Sequence, residues 1–130
     1  MLLMAMLASC KTYYITPDSL KTQLKAAHAQ LQPGYEKNDE RTFNNGLVKI
    51  TVTDKQGHAW EQLLTLHAGA KLTDATGRHA QVYLNTLFLI GDDQVSGRKS
   101  HFFPTIKPMQ LSSVREIKVS GTRNVGSAFR

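Results

Sequence analysis

Apolar residues in the first third of the chain recur with a helical period and then change to a period of two. Leu20, Leu24, Ala27 and Leu31 fall at i, i+4, i+7 and i+11, one stripe, while Lys21, Lys25 and His28 lie off it. Thr16 is placed to cap this helix, Pro17 suits its first turn, where the missing N–H costs nothing, and Asp18 complements the positive end of the helix dipole. Pro33-Gly34 ends the pattern, and the polar stretch from Glu36 to Gly46 reads as an exposed connection. From Leu47 onward the alternation places Val48, Ile50 and Val52 on one side of a strand and Lys49, Thr51 and Thr53 on the other.

Turn chemistry divides the rest into short strands. Asp54-Lys55-Gln56-Gly57 leads into a returning strand from Ala59 to Leu66. Thr73-Asp74-Ala75-Thr76-Gly77 repeats the Thr, Asp and Gly of Thr53-Asp54-Lys55-Gln56-Gly57, which reads as two hairpins with the same turn, not as a repeat array. His79 to Leu84 returns from the second turn, and Thr86 to Ile90 is the most apolar strand. Gly91-Asp92-Asp93-Gln94 turns into Val95 to Ser100, with Gly97 at a bend, and Pro104 and Pro108 bracket an irregular connection. Val114 to Ser120 is the last strand, with Ile117 and Val119 inward and Lys118 outward. The expected fold is α+β: one N-terminal amphipathic helix, then a meander forming a curled antiparallel sheet or a small half-open β-barrel of the SH3 or Sm-like kind, or else a flatter sheet with the helix lying across it.

Before all this stands an uncharged apolar run from Met1 that closes on Leu7-Ala8-Ser9-Cys10. These residues resemble the lipobox of bacterial lipoproteins. The resemblance implies cleavage between Ser9 and Cys10, a diacylglycerol on the Cys10 thiol, and anchoring to a membrane without spanning it. Because no Lys or Arg precedes the run, the true signal is expected to begin upstream of Met1. The competing reading makes residues 1–10 the first element of a soluble protein and Cys10 a buried thiol. Cys10 is the only cysteine, so no internal disulfide forms, and lipidation gives an otherwise odd thiol a use. The domain organisation expected is a signal remnant over 1–9, a lipidated lead over 10–16, one domain over 17–120 and a basic tail over 121–130. More loosely, Tyr13-Tyr14-Ile15, Ser19-Leu20, Thr86-Leu87-Phe88 and Ile117-Lys118-Val119 resemble small envelope lipoproteins of Gram-negative bacteria. That likeness implies no catalytic residues, and Lys11 after the cysteine, where Asp would retain the protein at the inner membrane, implies release toward the outer one.

Charge sharpens the picture of partners. Residues 1–93 hold nine Lys/Arg and nine Asp/Glu, so the net charge of +6 lies wholly in residues 94–130. Arg98, Lys99, His101, Phe102 and Phe103 crowd six positions, and with Arg115 and Lys118 they form the candidate binding face, cations beside aromatics that suit an anionic envelope polymer or a protein partner. Trp60 and Tyr83 read as core or cross-strand residues, and Tyr13 and Tyr14 as candidates for the membrane interface.

Chemistry is otherwise sparse. His28, His58, His67, His79 and His101 have no ligand spacing such as HExxH, so no metal is expected. Asp92 and Asp93 read as turn residues, and Ser96, His101 and an Asp make a triad only on paper, for there is no G-x-S-x-G elbow and no phosphate-cradling glycine loop. The expectation is a non-enzymatic structural or binding module without cofactor. The alternative is a cytoplasmic nucleic-acid-binding barrel using Arg98, Lys99, Arg115, Lys118, Arg123 and Arg130 on phosphates, which export would oppose.

Overall fold

The computed structural model describes residues 12–28, 45–99 and 105–127. Its first strand, β1 (Tyr13–Tyr14), runs directly into the helix α1 (Pro17–His28). Thr16 caps the helix as the sequence predicts: its hydroxyl accepts from the Ser19 N–H at 3.1 Å, and its carbonyl from the Leu20 N–H at 2.9 Å. Leu20 and Leu24 of the predicted stripe are buried and Ala27 is half-buried, while Leu31 and Pro33-Gly34 lie outside the described residues.

After the helix come β2 (Lys49–Thr53), β3 (Ala59–Leu63), β4 (Gly69–Asp74), β5 (His79–Tyr83), β6 (Phe88–Ile90), β7 (Gln94–Ser96), β8 (Met109–Gln110), β9 (Val114–Ser120) and β10 (Arg123–Ser127). Every pairing is antiparallel. Seven strands form one sheet in the order β10-β3-β2-β1-β9-β4-β5, and β6-β7-β8 form a second, three-stranded sheet. The α+β class is therefore observed, with one helix against mostly antiparallel sheet.

The order departs from a meander in several places, with β9 lying between β1 and β4 and β10 beside β3. The β2–β3 and β4–β5 hairpins form as expected, but β4 pairs with β9 and not with β3. The segment between β3 and β4 is fixed elsewhere: the Leu64 N–H donates to Val48 O at 2.9 Å and the Thr65 hydroxyl to Gly121 O at 2.6 Å. β1 is only two residues long, so much of β2 on that side has no strand partner. Helix α1 fills the gap with a side chain. Gln23 accepts from the Thr51 N–H through Oε1 at 2.9 Å and donates from Nε2 to Thr51 O at 3.1 Å, so one amide replaces a ladder rung.

The core lies on the inward face of the large sheet. Ile50 and Val52, Ala70 and Leu72, Val82, and Ile117 and Val119 alternate with polar neighbours and pack with Leu20, Leu24, Leu84, Leu87 and Val95. Val48, expected inward with Ile50, precedes the strand and is 66% exposed. The apolar run expected as one strand over Thr86 to Ile90 instead opens with a 3₁₀ turn at Leu84–Thr86 and pairs only from Phe88. Buried Asn45 holds this turn, donating from Nδ2 to Leu84 O and Leu87 O at 2.7 and 3.0 Å and accepting from the Leu47 N–H at 2.9 Å. Such complete pairing is what burial of an amide requires.

The expected basic tail over 121–130 needs correction, because Arg123–Ser127 is a strand, β10, paired along β3 with a bulge at Val125. Side-chain bonds carry it: fully buried Gln62 accepts from the Thr122 hydroxyl at 2.9 Å and donates to Asn124 Oδ1 at 3.0 Å, and that oxygen also accepts from the Gly126 N–H. The domain likewise begins before Pro17, since Tyr13 and Tyr14 of the expected lead are sheet residues.

Candidate functional site

Of the residues expected to form one binding face, the described ones do not all lie on one open surface. Arg98 is buried, only 6% exposed, where its N–H donates to the Thr86 hydroxyl at 2.9 Å and its carbonyl accepts from the Tyr83 N–H at 2.8 Å. Its Nε has no hydrogen-bond partner among the described residues. Arg98 is thus a packed residue bridging to Thr105, and not part of an open cationic surface, because the chain after β7 folds back beside the end of β5. Lys99 next to it is exposed, and His101, Phe102 and Phe103 lie outside the described residues. Arg115 is exposed at a bulge of β9, the extra residue between the Thr73–Glu116 and Asp74–Val114 pairs.

Lys118 does lie on an outward face, with a partner that the charge count hid. Ala70, Leu72, Ile117 and Val119 point into the core, so Lys71 and Lys118, directly opposite each other on β4 and β9, both point out. Directly opposed side chains on antiparallel strands have Cβ atoms about 4.5–5.5 Å apart, and like charges there repel. The row continues across the strands, with Gln81 beside Lys71 on β5 and Tyr14 beside Lys118 on β1. One rung along, Tyr83, Gly69 and Ser120 align. Glu116 answers part of the charge, its carboxylate 3.9 Å from Lys118 Nζ, with both side chains about half exposed, at 45% and 48%. An ion pair that open to water contributes little. The face therefore keeps a cationic pair between two tyrosines, able to attract an anion and to present rings for stacking.

Lys71 sits in the part of the sequence whose charges cancel, which is why counting along the chain missed it. The alternation of Lys71 between buried Ala70 and Leu72, matched to Lys118 between Ile117 and Val119, is the signal that identifies the pair once β4 and β9 are known to be neighbours.

The remaining polar groups are committed to structure. Asp54 is buried and its carboxylate accepts from the N–H groups of Gln56 and His58 at 2.9 and 3.0 Å and from the Trp60 indole at 2.9 Å. The His58 ring stands edge-on to Trp60, with centroids 4.7 Å apart. Asp74 repeats the turn in the open, accepting from the Thr76 N–H and hydroxyl and from the Arg78 N–H. The Thr76 hydroxyl above all holds its carboxyl below the ordinary value; desolvation, next in size, opposes it, and the Thr76 and Arg78 N–H groups and the Arg78 charge add to the lowering. Gly57 and Gly77 close the two turns with positive φ, at 81° and 88°. The matched Thr-Asp-x-x-Gly segments are thus two solutions of one hairpin problem.

Asp93 is a turn residue as expected, its carboxylate accepting from the Ser112 N–H and hydroxyl at 3.0 and 2.7 Å, and Asp92 lies 3.7 Å from Lys25. Buried Ser96 donates its hydroxyl to Ile106 O at 2.7 Å, which commits the serine of the paper triad to packing. His58 immediately precedes β3 and His79 opens β5, at distant places in the strand order. Among the described residues no three His, Cys, Asp or Glu side chains gather as metal ligands would, and no helix is long and apolar enough to cross a membrane. An open depression of about 390 Å³ between α1 and the start of β2 is lined by Gln23, Ala26, Ala27, Gly46, Leu47, Val48 and Lys49. No known family, curated protein or solved structure matches the chain.

Proposed function

We propose that the chain is a lipid-anchored protein of a Gram-negative cell envelope, held through a diacylglycerol on Cys10 and acting as a non-enzymatic binding module. The observation that carries this reading is the Leu7-Ala8-Ser9-Cys10 segment, which ends three residues ahead of the first sheet residue, Tyr13. An anchor there leaves the folded domain almost no linker. Lys11 after the cysteine favours the outer membrane as its destination. The sheet is read as a curled, half-open barrel of the SH3 or Sm-like kind, with α1 taking the place of the missing rungs beside β2. Its outward Lys71–Lys118 pair, flanked by Tyr14, is read as the surface for an anionic envelope polymer.

That same pair favours a second reading, a cytoplasmic protein binding nucleic acid through phosphates. Titrating the protein against polygalacturonate and against single-stranded DNA, with a Lys71→Glu/Lys118→Glu variant beside the wild type, separates the two. Binding of the uronate polymer should weaken about tenfold or more in the variant, since two contact charges are reversed. The melting temperature should fall only slightly, because one repelling pair is exchanged for another on an open face and the exposed Glu116–Lys118 ion pair that is lost contributes little. Stronger binding to DNA, with a steep loss in salt, would favour the second reading. Unchanged polymer binding by the variant would remove this face from the proposal.

A further inference from the structure

The short distance from Cys10 to the sheet fixes which end of the domain meets the bilayer. Cys10 and Tyr13 are three residues apart, so their Cα atoms are separated by about 11 Å at most, from roughly 3.8 Å per residue. Tyr13 pairs with Val119, which brings Thr12 level with Ser120, and Ser120 pairs in turn with Gly69. Directly beyond Ser120, Gly121 lies against the turn that joins β3 to β4. A Cβ on Gly121 would be 2.7 Å from His67 O, and the Thr65 hydroxyl bonds to Gly121 O at 2.6 Å. The turn from Thr65 to Ala68 is therefore fastened beside the point where the anchored chain enters the sheet.

At the tip of that turn Leu66 is 81% exposed, more than Val48, Val125 or Ile90, the other exposed large apolar residues among those described. A leucine so placed costs solvation in a free monomer and gains contact in hydrocarbon. Arg123, exposed, is two residues past Gly121 and pairs with Leu63, three residues ahead of Leu66. No carboxylate occurs in 64–69 or 119–123. Exposed apolar side chain, flanking positive charge and absent negative charge are what an anionic lipid surface requires.

We propose that the Thr65–Ala68 turn is a membrane-contact site, with Leu66 entering the bilayer that carries the Cys10 lipid and Arg123 meeting its phosphate headgroups. This rests on the lipid-anchor reading above. It sets the domain upright on its anchor, with β4 running away from the membrane and the turn at Ala75 about 17 Å or more from Gly69, at roughly 3.3 Å per strand residue.

The test uses the lipidated mature protein in phosphatidylethanolamine/phosphatidylglycerol vesicles. With the Cys10 thiol occupied by lipid, Leu66→Cys or Ala75→Cys supplies a single free thiol for an environment-sensitive fluorophore. The label at 66 should shift to the blue and be quenched by lipid-borne nitroxide several-fold more strongly than the label at 75. Labels equally insensitive at both positions, on protein that floats with the vesicles, would overturn the contact site and leave the anchor standing. Protein that stays out of the vesicle fraction, with Cys10 still reactive toward the dye, would overturn the anchor and the contact site together.

Discussion

Replacing Gly121 with alanine is expected to destabilise the domain by about 3 kcal/mol, from a left-handed backbone penalty of roughly 1–2 kcal/mol and a steric conflict of similar size. Gly121 has φ +70°, and its added Cβ would meet His67 O at 2.7 Å, His67 C at 3.1 Å and Ala68 Cα at 3.3 Å. All three are backbone atoms of a turn already tied to Gly121 through Thr65. Relief requires the whole turn to move, and with it the start of β4. Gly57→Ala is the matched control: φ is +81° there, but nothing lies within 4 Å of the new Cβ. Only the conformational part, about 1 kcal/mol, should then be lost. Urea unfolding of the two variants should separate them clearly. Equal midpoints would show that the close approach of the two turns does not constrain the fold.

The second large effect is expected at Asp54. Its carboxylate is buried and satisfies two backbone N–H groups and the Trp60 indole. Asp54→Ala removes charged-acceptor bonds of the kind that contribute about 1.5–3 kcal/mol each, and loses part of that back to solvation, for a net cost of about 3 kcal/mol. For a domain of this size that corresponds to a melting temperature lower by about 10 °C. Asp74→Ala, in the same motif but at the surface, should cost much less, because water replaces the lost partner. Asp74 carries a pH signature instead. Its folded pKa is depressed, so its contribution is complete above the unfolded value near 3.8 and is lost as pH falls through the lower folded value. Asp74→Asn should flatten the acid limb of stability in that window, as melting curves between neutral pH and the acid range would register.

These two aspartates also show what the sequence could tell. The Thr-Asp-x-x-Gly match is visible in one line of residues, and the turns it specifies both formed, because a β-turn is closed by groups a few positions apart. Helix α1, β2 and β9 were legible for the same reason: Thr16-Pro17-Asp18 and the alternation Ile117-Lys118-Val119 are local signals. Strand β10 was not. Arg123-Asn124-Val125-Gly126-Ser127 has one apolar side chain, and what makes it a strand is Gln62, about sixty positions earlier, bonded to Thr122 and Asn124. The partner of β4 was equally hidden, since pairing with β9 and not β3 is decided by Thr65 and Gly121 meeting across the fold.

The candidate site failed in the same manner where it failed. Arg98 looked like surface because arginine usually is, yet the return of the chain beside Tyr83 buries it. Lys118 was legible as outward, but its neighbour Lys71 became visible only when the strand order was known. Cations adjacent in sequence, Arg98 and Lys99, differ in exposure, while cations almost fifty positions apart share a face.

The lipid on Cys10 underlies both the proposed function and the orientation inferred from it. Metabolic labelling with a clickable fatty acid in a Gram-negative host, expressing the protein as wild type and as Cys10→Ala, tests it most directly. The wild type is expected to carry label and fractionate with membranes, and Cys10→Ala to lose both. An unlabelled wild-type protein recovered in the soluble cytoplasmic fraction would contradict the anchor and turn the Lys71–Lys118 face toward nucleic acid.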